Sequence, residues 1–347
     1  MMRKGTDMKR MTLGRTGIET ARLGFGGIPI QRVSEEQAVD TVLYALEKGM
    51  DFIDTSRMYT TSETRIGMAL RQTDKKPKIA TKSFARSADG IRKDVDISRR
   101  ELRQDVLDIY QCHNISSSEE YKTITARDGA YAGLVKAKEE GLIRHIGITS
   151  HSLDLLDKML DDDLFDTIMV CLSFLEPAAK EKLIPKALAK NVGVIAMKPI
   201  SGGFLEDAPE AALKWSFVQE ETLVLVGVEN RELIDQNWRV FQGDWTLTET
   251  DRKDIDALYG EYDKKFCRRC DYCLPCPAEI QIQMVLGARS FLKRIGPGAL
   301  KNPMFTDIWA KAENCTECGQ CMTRCPYELP IPEIIKSNLA WRRELNL

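Results

Sequence analysis

Residues 21–54 read ARLGFGGIPIQRVSEEQAVDTVLYALEKGMDFID, and this stretch decides the fold. A short apolar run, 21–25, is followed by a longer stretch, 34–48, with apolar residues at helical spacing, and then by a second apolar run, 51–54. Ser34 followed by Gln37 predicts a capping-box helix start, and Gly49 a helix stop. The unit is therefore strand–helix–strand. A doubly wound open sheet would carry a G-x-G-x-x-G turn after its first strand, and Gly24-Phe25-Gly26-Gly27 followed by Ile-Pro is not that motif.

The same alternation continues along the chain. Strands are expected at 21–25, 51–54, 78–81, 106–112, 145–148, 167–171, 192–197 and 223–226, with helical patterns at 34–48, 63–71, 91–104, 130–140, 153–161, 178–190 and 208–219. Eight strand–helix repeats over about 250 residues predict a (β/α)8 barrel. The polar stretch 244–263 reads as one more helix, which places a domain boundary at residue 264: 1–264 a barrel, 265–347 a small second domain.

Eight of the ten cysteines lie in that second domain, in two runs. The first is Cys267-Arg-Arg-Cys270-Asp-Tyr-Cys273-Leu-Pro-Cys276-Pro277; the second is Cys315-Thr-Glu-Cys318-Gly-Gln-Cys321-Met-Thr-Arg-Cys325-Pro326. The second is a C-x2-C-x2-C-x3-C-P pattern, whose last cysteine in two-run chains ligates the partner cluster. Structural zinc is the alternative, but zinc takes four ligands, usually as two separated pairs, whereas each run here offers three or four thiolates. The spacing predicts iron–sulfur binding, with eight ligands suiting two [4Fe–4S] clusters and Cys276 and Cys325 exchanged between them. Helical patterns at 280–294 and 331–344, with a Gly296-Pro297-Gly298 turn between them, make this a small helical ferredoxin-like domain. It is too small to hold itself by hydrophobic burial alone.

Composition narrows the function. Fifty Lys and Arg against fifty-two Asp and Glu give a net charge of −2, so no nucleic-acid partner is expected. Short basic clusters such as Arg268-Arg269 read as solvated surface. No apolar run is long enough to span a membrane, and the first ten residues lack the apolar core of a signal peptide. Cysteines gathered in one region fit metal ligation in a reducing cytoplasm better than a disulfide framework. Cys112 and Cys171 stand apart and are expected to be buried.

Functional side chains of such a barrel sit at the C-terminal ends of its strands. Those ends present Asp54, with Tyr59 in the loop beyond, then Lys82, then His113. Each alone has a plain reading as a loop cap, a rim ring, a surface cation or a rim imidazole. Four on consecutive strand ends point to a site. The segments Asp51-Phe-Ile-Asp54-Thr-Ser-Arg-Met-Tyr59 with Glu63 and Gly67, Ala80-Thr-Lys82 and Asp108-Ile-Tyr-Gln-Cys-His113 resemble the aldo-keto reductase family. So do Leu13-Gly-Arg-Thr-Gly17, Leu23-Gly-Phe-Gly26, Ile143-Arg-His-Ile-Gly147 and Gly227 with Asn237. The resemblance covers roughly residues 8–262, and the cysteine tail resembles the extension of one branch of that family.

That resemblance implies an oxidoreductase in which hydride passes from a reduced nicotinamide, NADP(H) or NAD(H), to a small carbonyl substrate. Tyr59 would be the general acid. A free phenol, with a pKa of about 10, is a poor donor at neutral pH, so Lys82 would lower it and Asp54 would hold the ammonium. His113 would orient the carbonyl. Cofactor contacts implied are Thr149 and Ser150 at the carboxamide, Lys198, Gly202 and Gly203 at the pyrophosphate, and Gly227, Arg231 and Asn237 toward the adenosine. Met169 and Met197 stand where relatives carry an amide and an aromatic ring. Glu229, where relatives carry a cation, suits a free ribose hydroxyl, with Arg231 as compensation. Candidate walls of the substrate pocket are Arg57, Met58, Phe84, Phe204 and the tail. His151 is either near the ligand or a plain rim histidine.

Hydride transfer moves two electrons together, whereas a cluster passes one at a time. A second reading is thus a reductase linked to a ferredoxin-type electron partner, with a flavin as mediator. A third is a nucleotide-binding redox sensor.

Overall fold

The computed structural model describes residues 9–219, 221–295 and 303–345. Ten strands occur among them. β1 (Arg10–Thr12) and β2 (Glu19–Ala21) form an antiparallel pair. β3 (Leu23–Gly26), β4 (Phe52–Asp54), β5 (Lys78–Ser83), β6 (Leu107–Cys112), β7 (Ile143–Thr149), β8 (Thr167–Cys171), β9 (Gly193–Met197) and β10 (Thr222–Gly227) follow. These eight close into a parallel barrel in sequential order, with β10 pairing β3. All eight expected strands are present, and helices lie between them as the alternation requires.

Strand alternation sends one set of side chains outward and the other inward. Ile53, Ile79, Tyr110, Ile148 and Val224 join the core between sheet and helices. Phe52, Ala80, Ile109, Met169, Ile195 and Leu223 fill the barrel itself. The β1–β2 hairpin, absent from the sequence reading, plugs the N-terminal mouth by packing Met11, Leu13 and Ile18 onto that inner set. Gly14 makes the approach possible: its φ is 50°, and a Cβ there would lie 2.3 Å from the Gly193 backbone nitrogen. The first helix, Glu35–Lys48, has the expected ends. Ser34 Oγ accepts from the Gln37 amide, and Gly49 adopts a left-handed φ of 106°. The Gln37 side chain donates instead to the Glu229 carbonyl oxygen, at 3.1 Å. A reciprocal capping box forms at Thr248 and Asp251, opening helix Glu249–Tyr262.

The ferredoxin-like expectation for the tail is corrected. The described residues beyond Lys264 form five helices and no strand: Ile282–Leu286, Ala288–Ile295, Pro303–Ala312, Gln320–Arg324 and Ile331–Glu344. Ile282, Val285 and Leu286 recur at helical spacing, and they pack with Ile308, Trp309, Ile331 and Ile335 into a core separate from the barrel's. A helix has its backbone hydrogen bonds within itself, so this sequence gains nothing from strand pairing. The expected turn at Gly296–Gly298 lies outside the described residues.

The tail lies against the C-terminal face of the barrel, and Arg268 and Arg269 carry the junction rather than solvated surface. Both are 6% exposed. The Arg268 guanidinium donates to the Leu175 carbonyl oxygen at 3.1 Å and pairs with Asp263 at 2.7 Å, stacking over Tyr327. Arg269 pairs with the buried Glu176 at 3.4 Å. Among the described residues, no helix is long and apolar enough to cross a membrane.

Candidate active site

Parallel register sets the ends of β4, β5 and β6 side by side, with Lys82 opposite Gln111 and Asp54 opposite Ala80. Asp54 and Lys82 are 4% and 2% exposed. An ammonium has three protons to place. Lys82 Nζ donates to Asp54 Oδ1 at 2.5 Å and to the Thr55 carbonyl oxygen at 2.7 Å, and its third partner is the Tyr59 hydroxyl. The ammonium also lies 5.0 Å from the centre of the Tyr59 ring. Asp54 Oδ2 accepts from Gln111 Nε2 at 3.1 Å. Burial works to discharge Lys82, but the Asp54 carboxylate and the Tyr59 hydroxyl outweigh it and hold its pKa above the usual lysine value.

His113 follows β6 directly, its ring edge-on to Tyr59 with centroids 6.2 Å apart. Its Nδ1 is 3.1 Å from Ser56 Oγ, and Phe84 packs on its ring at 4.2 Å. Burial, reinforced by Lys82, Arg86 and Lys198, holds its pKa well below the usual histidine value, so the imidazole is neutral near pH 7. The fold thus gathers Asp54, Tyr59, Lys82 and His113 into one constellation. Ser56 and Gln111 were missed by sequence reasoning. Gln111 was findable, because it lies two residues after the inward-facing Ile109 and so shares its face.

A cleft of about 400 Å³ opens above this constellation. Asp54, Tyr59, Met169 and Met197 line its inner end, and Lys198, Gly202, Gly203 and Gly227 line its flank. Gly26 and Gly227 pair at the β3–β10 seam, where a Cβ on Gly227 would lie 2.9 Å from Pro29 Cγ. The other expected contact residues are not among those lining the cleft. Thr149 Oγ1 accepts from the Asn114 amide at 2.7 Å, and Ser150 Oγ donates to the Ile115 carbonyl oxygen at 2.6 Å. These buried hydroxyls satisfy the backbone of the loop after β6. Arg231 turns outward to Asp40, at 2.8 and 2.5 Å. Asn237 is buried on helix Arg231–Gln242, whose Leu233 reaches the cleft. Glu229 is paired bidentately with Arg32, one contact at 2.7 Å.

Of the expected pocket walls, Met58 and Phe84 are exposed at the rim. Arg57 is drawn away by Glu63 and Glu101, and Phe204 packs on Tyr262 and Phe266 at the tail junction. His151 bridges two groups: Nδ1 is 3.1 Å from Cys171 Sγ and Nε2 is 3.3 Å from Lys198 Nζ. Cys112 and Cys171 are buried, and burial pushes the Cys112 thiol up to about 12.

The eight tail cysteines surround two small hollows. Cys267, Cys270, Cys273 and Cys325 line one, with Ile282, Leu286 and Leu329. Cys276, Cys315, Cys318 and Cys321 line the other, with Ile280 and Ile335. Among the described residues, no group of three or more His, Cys, Asp or Glu is arranged to hold a single metal ion. A [4Fe–4S] cube is wider than an ion, and four thiols around an apolar hollow are the donor set it takes.

The sequence model of the aldo/keto reductase family matches residues 22–210, and that of a 4Fe–4S dicluster domain matches residues 266–330. The L-galactose dehydrogenase of Arabidopsis thaliana is 34% identical over 221 residues, covering 58% of this chain and 68% of that protein. The NADH-specific methylglyoxal reductase of Escherichia coli is 27% identical over 228 residues, covering 57% of this chain and 69% of that one. Among solved structures, the holo form of an aldo-keto reductase from Bacillus halodurans superposes with a TM-score of 0.62 at 23% identity, over 72% of this chain and 96% of that one. The chain belongs to the aldo/keto reductase family, and it is an oxidoreductase.

Proposed function

We propose that this protein reduces an aldehyde or ketone with a nicotinamide dinucleotide bound in the cleft, Tyr59 acting as general acid, and that residues beyond 264 form a unit carrying two [4Fe–4S] clusters. The reduced nicotinamide, when bound, supplies the hydride. The observation that carries the reading is the buried Lys82 ammonium, held by Asp54 and touching the Tyr59 hydroxyl at the inner end of the cleft. A cation there stabilises the phenolate left when Tyr59 gives its proton to the carbonyl oxygen. His113, kept neutral, donates a hydrogen bond that positions that oxygen without competing as an acid. Met169 and Met197 offer soft, apolar surfaces for the nicotinamide ring.

At the adenosine end, Arg32 is paired with Glu229 and Arg231 with Asp40. Both cations are already committed to carboxylates, which favours the ribose hydroxyl of NADH over the 2′-phosphate of NADPH. The relative from Escherichia coli, named as NADH-specific, is consistent with this. Tyr59→Phe should lower kcat for a broad panel of small aldehydes about a hundredfold or more while leaving the Kd for nucleotide within about twofold. Full activity in that variant would refute the assignment. The same assay should return a higher kcat/KM with NADH than with NADPH.

For the clusters, Cys267, Cys270, Cys273 and Cys325 would hold one cube and Cys276, Cys315, Cys318 and Cys321 the other. When bound, they supply one-electron carriage. One observation supports a linked electron supply from a small one-electron carrier. Cys270 borders a cavity of about 240 Å³ that it shares with His151 and Cys171, and His151 reaches Lys198 of the cleft. In that reading, flavin bands would stand beside cluster absorption in the spectrum of anaerobically purified protein. Cluster absorption without flavin favours the direct hydride route.

A further inference from the structure

We propose that the C-terminal unit completes the dinucleotide cleft, and that Lys293, on its helix Ala288–Ile295, is a ligand to the pyrophosphate of the nucleotide. The inference rests on the nucleotide reading above and adds to it a binding residue from outside the barrel.

Helix Ala288–Ile295 packs against both short helices at the cleft mouth, Pro29–Arg32 on one wall and Ser201–Gly203 on the other. Pro29 and Arg32 line the cleft from one side, Gly202 and Gly203 from the other, and Lys293 lines it as well. The helix therefore lies across the opening. Ser290 Oγ donates to the Gly202 carbonyl oxygen at 3.1 Å. The Lys293 stem lies on Gly203, where a Cβ would meet Lys293 Cδ at 3.2 Å. Gly203 has a φ of 100°, and Lys198, Ser201 and Gly202 share the left-handed region, so this loop holds an unfavourable backbone that the tail braces.

Charge completes the case. A pyrophosphate bridge carries two negative charges, and the cations on the lining are Arg32, paired with Glu229, Lys198 and Lys293. Lys293 pairs with Glu206 and reaches the Gly203 carbonyl oxygen at 3.5 Å. An ammonium has three donors, so it can keep both contacts and still take a phosphate oxygen. Because the helix belongs to the cluster-bearing unit, nucleotide affinity and cluster retention are linked, and the linkage is reciprocal.

The test is the Kd of NADH and NADPH, read by nucleotide fluorescence on the full-length, cluster-loaded protein at several salt concentrations. Lys293→Gln should weaken binding about tenfold, the size expected for a lost hydrogen bond to a charged group. Its dependence on salt should become shallower, with cluster absorbance unchanged. Lys293→Arg should restore binding to within about twofold, and Ser290→Ala should weaken it without altering the salt slope. Wild-type affinity and salt slope in Lys293→Gln would overturn the inference while leaving the nucleotide reading intact. Failure of the wild-type protein to bind either nucleotide would overturn both.

Discussion

Lys82 shows how much the site depends on compensation at single residues. Removing an ammonium and a carboxylate from water costs several kcal/mol each, and their attraction repays this only with good geometry and satisfied hydrogen bonds. Here all three ammonium protons and both carboxylate oxygens have partners. Lys82→Met would leave Asp54 buried with the Gln111 amide as its remaining side-chain donor. It should destabilise the barrel by about 3 kcal/mol in chemical denaturation, and Asp54→Asn in the same chain should recover most of that. A single variant of wild-type stability would mean that Asp54 is not held as a carboxylate. Asp54, Tyr59, Lys82 and His113 were legible in the sequence because each lies at or just beyond a strand end. Ser56 was not, since nothing local marks a loop serine as the partner of a histidine fifty-seven residues away.

At the scale of elements, the strands were legible because apolar runs and helical spacing alternate along the whole barrel. The β1–β2 hairpin was not. Its strands are three residues each, and what holds them is burial of Met11, Leu13 and Ile18 under the barrel floor, a contact with no local signature. Gly67, noticed only as part of a motif, has a physical reason. On helix Ser62–Leu70 it faces the end of helix Ala88–Leu102, and a Cβ would lie 2.0 Å from the Glu101 carbonyl oxygen. Gly67→Ala must push the two helices apart and should cost about 1–3 kcal/mol, seen as a lowered Tm. An unchanged Tm would show that this helix pair is free to adjust.

Over the whole molecule, the tail has a hydrophobic core of its own beside those of the barrel. Six of the eight tail cysteines belong to or pack against the tail's core, so on the cluster reading proposed above, removing iron should loosen it far more than the barrel. Chelation under oxidising conditions should raise amide exchange in helices Ile282–Leu286 and Ile331–Glu344 and expose Trp309, which is 1% exposed in the fold. Most barrel helicity should remain. Equal loss of protection in both units would mean that they fold as one. Since the tail packs over the cleft, nucleotide affinity should fall with it.

The sequence alone determined the barrel, the four residues gathered at its strand ends and the two cysteine runs, because strand and helix periods, strand-end positions and cysteine spacing are local properties. Only the tertiary structure decided where the tail goes. It also decided that Arg268 and Arg269 are buried, that Thr149 and Ser150 support a loop, and that Arg231 is committed to Asp40. Each of these depends at least in part on a partner more than thirty residues away along the chain, and a linear pattern carries no record of that.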